Sequence, residues 1–268
     1  MPADGVIAIG WFELVLAAGF IVATGALSLA LRLGLVKDLA IGSVRTYLQL
    51  LALGVVLRWV FEVRLWYAVV AILVFMTVVA TRIILKRVPH APKGLFGSSL
   101  LAMAVTGFTV TFAVTGIVIR VPAWYEPRYV IPIAGMVLGN SMTGIALSLE
   151  RLFSDLDAHS EEVLGTLALG ASPWEAARGA VRSSLRAGLI PTINSMAAAG
   201  IVFIPGMMSG QVLAGADPLE AAKYQVVVML MVSAATAVGS IIAVTLAYRR
   251  RFSADGAYLE QGFRAHAS

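Results

Sequence analysis

Few side chains in this chain have the type and spacing to do chemistry, and none forms a catalytic constellation. None of the four lysines (Lys37, Lys86, Lys93 and Lys223) follows a glycine, so there is no Walker A loop to cradle a nucleotide phosphate. The three histidines, His90, His159 and His266, fall in loops or the tail without paired helical spacing, which argues against a zinc site. There is no cysteine, hence no disulfide framework and no thiolate centre. What remains is a set of polar and soft side chains inside or beside apolar runs: Glu13, Gln49, Asn140, Asn194, Gln211 and Gln225, with Met136, Met142, Met196, Met207 and Met208. Polar groups at membrane depth either line a pathway or bond across helices. The thioethers are soft metal ligands, better matched to copper(I) than to iron(II), or are adaptable packing. The metal-ligating residues, if any, stay open.

The elements that must position these residues are apolar spans. The chain is 59% hydrophobic and 13% charged, too apolar for a soluble domain of this length. Seven spans can be marked, near 9–31, 44–61, 65–85, 97–119, 130–149, 184–204 and 219–248. The expected fold class is therefore an all-α integral membrane protein of about seven transmembrane helices. Residues 1–252 make one transmembrane domain and 253–268 an unstructured cytoplasmic tail. With the N-terminus outside, only Arg58, Arg64, Arg120, Arg128 and Lys223 of the 20 Lys and Arg fall on the outer side. The positive-inside rule then places the segment 150–186 and the C-terminus in the cytoplasm. The basic residues bracket the spans rather than forming one patch, so nucleic acid is excluded as a partner and the lipid bilayer is implied.

The segment 160–191 has helix–break–helix grammar. Ser160, Glu161 and Glu162 suit a helix start, and Gly170 suits its end. Ser172, Pro173 and Glu175 predict a second start with a capping box. Arg178, Arg182 and Arg186 recur every four residues as a basic stripe, with Trp174, Ala177, Val181 and Leu185 on another face. A capping box over Asp217–Glu220 predicts the start of the last span. Gly-Met-x-x-Gly followed by an amide occurs twice, at Gly135–Asn140 and Gly206–Gln211. These glycines either permit close helix contact or bend backbone beside a path.

Leu169-Gly170-Ala171-Ser172-Pro173-Trp174, followed by Leu189-Ile190-Pro191, resembles the cytoplasmic coupling loop of ABC-transporter permeases. In that pattern an acidic residue stands six before the glycine. Here that place is Leu164, and the acids are Glu161 and Glu162. Adding Ile131–Met142, Leu189–Ser195, Ile204–Gly210 and Gly215–Gln225, the chain is similar to the FetB-type permease family over about 40–250. The resemblance implies a permease subunit, a homodimer working with a separate ABC ATPase in the inner or plasma membrane. ATP and magnesium would sit on that ATPase, and this chain would bind no cofactor. It implies coupling residues at Glu162, Leu169, Gly170, Ala171, Ser172, Pro173 and Arg178. It implies export of iron or another metal, or of a nucleotide-sugar as in some plant relatives. A substrate path around Glu13, Met136, Asn140, Asn194, Met207, Met208, Gln211 and Gln225 is expected from the polar and soft residues above. A channel or secondary transporter independent of ATP, and an intramembrane enzyme, are the readings from other classes.

Overall fold

The computed structural model describes residues 10–63, 65–88, 92, 94–253 and 255–259. Every regular element among them is helical: α1 (Trp11–Ala30), α2 (Val36–Val63), α3 (Trp66–Arg87), α4 (Leu95–Ala113, continued by a π-turn over Val114–Val118), α5 (Pro127–Ala158), α6 (Ser160–Ala168), α7 (Pro173–Ala198), α8 (Gly206–Leu213) and α9 (Pro218–Tyr248). Six of these, all but α6, α7 and α8, are long and apolar enough to cross a bilayer. The protein is thus a multi-pass membrane protein, as the hydropathy implies. The expected span 184–204 differs from the rest. Its helix stops at Ala198, and an irregular segment leads through Gly200 and Pro205 into the eight-residue α8. From Ser184 to Ala198 the helix rises only about 21 Å, short of a bilayer core of about 30 Å.

α5 is the axis of the bundle, packed against α3, α4, α7 and α9. A stripe of Val130, Val137, Ile145, Leu149, Leu152 and Leu156, all buried, runs down its core side. α1 and α2 form a hairpin that joins this core only through the end of α2, where the buried Val60 packs with Val69, Leu73 and Val130. The Tyr47 hydroxyl donates to the Leu14 carbonyl to tie the two helices together, and most of their exposed residues are apolar, as lipid contact requires.

Between membrane helices close approach depends on small residues, because lipid tails give apolar side chains no incentive to associate. The close approaches fall at glycines other than the Gly-Met-x-x-Gly pairs. A methyl on Gly188 of α7 would overlap Ser148 Oγ and lie 2.5 Å from the Gly144 carbonyl of α5. A methyl on Gly144 would meet Thr236 of α9. Among the paired glycines, Gly139, Gly206 and Gly210 face open space, and Gly135 has only the Met76 methyl near it, at 3.5 Å. Those pairs hold no helices together within this chain.

Aromatic rings mark both ends of the bundle. Trp124 lies against Trp66 at the start of α3 and Phe112 near the end of α4, at centroid separations of 6.4 and 5.8 Å. Such rings suit a membrane–water interface. At the opposite end Trp174, Tyr248, Phe252 and Tyr258 pack edge to face in series at 5.4, 6.4 and 5.6 Å. The Arg251 guanidinium is buried beside them, over the Phe153 ring and 2.8 Å from Asp157.

The tail expected to be unstructured from 253 therefore departs from that expectation over its first residues. Tyr258 bridges to Phe252 and donates its hydroxyl to the Leu156 carbonyl, because its ring completes the aromatic series. Residues 260–268, including His266, lie outside the described residues, as does His90.

Candidate functional site

Two places combine irregular backbone with polar or exposed groups. The first is a cavity of about 300 Å³ where α5, α7, the break after α7, the start of α8 and α9 meet. α5 contributes Met136, Asn140 and Thr143, α7 contributes Thr192 and Ser195, and α9 contributes Gln225 and Met229. Pro205, Gly206 and Met207 close it from the break. A chain that stops being helical inside a bilayer leaves backbone groups to satisfy, which is tolerated where the backbone lines a protein cavity. Gln225 is 7% exposed and its Oε1 has no hydrogen-bond partner. A buried acceptor without a partner costs free energy until something bonds to it. The Asn140 amide donates to the Met136 carbonyl one turn back. Among the described residues, no charged side chain lines the cavity.

The second place is the corner between α6 and α7, built entirely by local chemistry. Gly170 takes φ +88°, and its N–H reaches the Leu167 carbonyl while Ala171 N–H reaches Thr166. Those two bonds are a Schellman closure, which an L-residue other than asparagine resists. Ser172 then caps α7. Its hydroxyl accepts from Glu175 N–H, and its own N–H donates to Glu175 Oε2 at 2.8 Å. This backbone bond, and the Ser172 hydroxyl bond after it, hold the Glu175 carboxyl below its ordinary pKa. The folded-state value being depressed, the cap is fully formed above the ordinary carboxylate range and weakens only as pH falls through the lowered value. Leu169 stands 91% exposed at the tip.

Two local expectations need adjustment. The cap position of α6 is His159 rather than Ser160, and no side chain caps it, because α5 runs almost directly into α6. His159 is exposed, with its Nδ1 3.0 Å from the Asp155 carbonyl. At α9, Asp217 accepts from Leu219 and Glu220 N–H, but Glu220 pairs with Lys223 instead of reaching back.

The sequence matches the uncharacterised protein family UPF0014 over residues 11–252. The chain belongs to the UPF0014 family. A UPF0014 membrane protein of Synechocystis is 38% identical over 78% of this chain and 81% of that protein. The probable iron export permease protein FetB of Escherichia coli is 35% identical over 83% of this chain and 84% of its own length. Protein ALUMINUM SENSITIVE 3 of Arabidopsis thaliana is 34% identical over 85% and 82%. No solved structure matches this UPF0014 chain.

Of the path residues expected in this UPF0014 protein, Met136, Asn140, Met207 and Gln225 line the one cavity. Met208 lines an adjoining one. Gln211 is not in either wall, though its Oε1 is buried without a partner. Asn194 is exposed on α7, and Glu13 is exposed on α1, whose hairpin contributes nothing to the cavity. Thr143, Thr192, Ser195 and Met229 are lining residues that sequence reasoning missed; small hydroxyls in apolar runs carry no signal of their own. Among the coupling residues, Leu169 and the Gly170–Pro173 corner project, Arg178 is exposed on the stripe it shares with Arg182 and Arg186, and Glu162 lines a polar cleft under α6 with Arg151, Asp155 and Glu175.

Proposed function

We propose that this chain is the permease subunit of an ABC transporter that exports a metal ion, driven by a separate ATPase. The observation that carries this reading is the α6–α7 corner. It is locked by a Schellman closure on one side and a capping box on the other, yet it holds Leu169 in water. Leu164 and Trp174, on the two helices that meet at the corner, are exposed as well, and an exposed apolar surface of this kind suits a partner that covers it. The ring series through Trp174 and Tyr248 connects that tip to α9, and α7 itself ends at the cavity, so displacement of the corner would reach the cavity wall. The metal cargo comes from the name of the Escherichia coli relative. Export of a polar organic solute is the second reading, supported by the uncharged, hydrogen-bonding cavity wall.

The working unit in this reading is a homodimer. Asn140 and Asn194 sit within membrane-depth helices but are exposed in the single chain, and polar groups facing lipid are costly. A second copy would cover them.

In the proposed orientation the N-terminus is outside and the corner is cytoplasmic. Because the chain has no cysteine, Ser154→Cys, exposed near the end of α5, should resist an impermeant thiol reagent in intact cells while Ala123→Cys reacts. The opposite labelling would invert the topology and defeat the ATPase reading.

The function is tested in vesicles holding the permease and the ATPase that purifies with it. Asn140→Leu and Gln225→Leu keep the bulk and remove the amide. Each should lower ATP-driven export at least tenfold per folded complex, with thermal stability nearly unchanged. Export at the wild-type rate in both would remove the cavity from the path. Export that persists without ATP would replace the pump by a channel or secondary transporter.

A further inference from the structure

The cavity beside the break in α7 has a neighbour of about 350 Å³, and the two share Pro205, Gln225 and Met229. Their walls gather methionines. Met136, Met207 and Met229 line the first, and Met196, Met208 and Met229 line the second. Five of the 10 methionines in the chain are therefore at this one place, on four different elements, with Met229 common to both walls. All five are half-buried or exposed rather than sealed in the core, as Met103 is. The shared wall also carries the unpartnered Oε1 of Gln225, an acceptor.

The donors that the place lacks are as informative as those it has. Among the described residues, neither wall contains a carboxylate, an imidazole or a thiolate. Among the described residues no group of three or more His, Cys, Asp or Glu is placed to hold a metal. Iron(II) is held by carboxylate and imidazole, whereas thioether sulfur selects copper(I) and its like. Charge acts in the same direction. The Born cost of taking an ion out of water rises with the square of its charge, so a divalent ion in this uncharged wall faces about four times the penalty of a monovalent one.

We propose that these adjoining cavities form a thioether site for a soft monovalent metal ion, copper(I) or silver(I), with the Gln225 carbonyl as an added oxygen ligand. Met229, common to both walls, joins the group of Met136 and Met207 to the group of Met196 and Met208. The proposal deepens the export reading above and rests on it only for the direction of transport; the site itself can be assayed on the permease alone.

The probe is silver(I), a redox-inert stand-in for copper(I), titrated into purified full-length permease in lipid nanodiscs against a thioether competitor, with anaerobic iron(II) in parallel. Wild type should take up silver(I) saturably and iron(II) not at all. The triple variant Met136→Leu, Met207→Leu, Met229→Leu should lose at least tenfold in silver affinity, and Met103→Leu should lose nothing. Should the triple variant misfold, Met229→Leu alone, which touches both walls, should still weaken silver binding several-fold. Silver binding that survives Met229→Leu and the triple variant unchanged overturns the site, and so does saturable iron(II) binding without silver binding. In vesicles with the ATPase, ATP-driven export of iron(II) but not silver(I) overturns the proposal and leaves the permease reading standing. Silver bound by the permease with no ATP-dependent flux of any cargo keeps the site and overturns the ABC reading instead.

Discussion

Gly170→Trp should abolish co-purification of the ATPase while leaving the permease inserted and folded. Gly170 lies at φ +88°, and a Cβ added there would meet nothing within 4 Å, so an indole has room to project but no place to hide. It would stand at the tip that Leu169 already occupies and hold a partner surface away. Two effects must be separated, because any L-residue other than asparagine or aspartate is strained here by about 1–2 kcal/mol. Gly170→Asn tolerates the left-handed conformation and adds little bulk, so it should retain most of the ATPase. Gly170→Ala should fall between them. Pull-down yield, referred to the amount of folded permease, orders the three. Equal yields for tryptophan and wild type, with normal stimulation of ATP hydrolysis, would show that the corner docks nothing.

The second large effect belongs to the bundle rather than the corner. Gly188→Leu should prevent α7 from seating on α5, and the protein should fail to give a monodisperse species in detergent. Even Gly188→Ala should be destabilised by about 1–3 kcal/mol, the usual range for overpacking a close contact. Its methyl would enter the volume of Ser148 Oγ and crowd the Gly144 carbonyl. If that overlap is the cause, Ser148→Gly should recover part of the loss in the Gly188→Ala background, a coupling that a double-mutant cycle reads directly. Additive effects would place the cause elsewhere. Gly139→Ala is the contrast: with open space around it, it should leave monomer stability unchanged.

Hydropathy and caps made much of this legible from the sequence alone. Four of the expected spans are helices with ends shifted by a few residues, α2 starts earlier than expected, at Val36, and α5 continues to Ala158 because its C-terminal end is amphipathic rather than apolar. The corner was legible because it is made within ten residues, from Gly170, Ser172 and Glu175. The Gly144–Gly188 crossing was not, because nothing local distinguishes a glycine that meets another helix from one that meets lipid. The break after Ala198 was hidden for a related reason. Ile201-Val202-Phe203-Ile204 is as apolar as a helix would be there, and only the positive φ of Gly200 and Pro205 beyond it interrupt the run. The grouping of Gln225 with Met136 and Met207 joins residues some ninety positions apart, and no spacing rule reaches that far.

The basic stripe of α7 has a consequence for how the chain is made. Arg178, Arg182 and Arg186 leave only a short apolar stretch before Ala198, and the helix is not among those apolar enough to enter a bilayer unaided. It therefore has to be drawn in by its neighbours. α5 is already synthesised when α7 emerges, but the Thr236 side of the crossing belongs to α9, which is translated later. During biogenesis α7 should linger at the translocation channel until α9 arrives, and the two should leave it together. A nascent chain halted before residue 218 would leave the channel with α7 still outside the lipid.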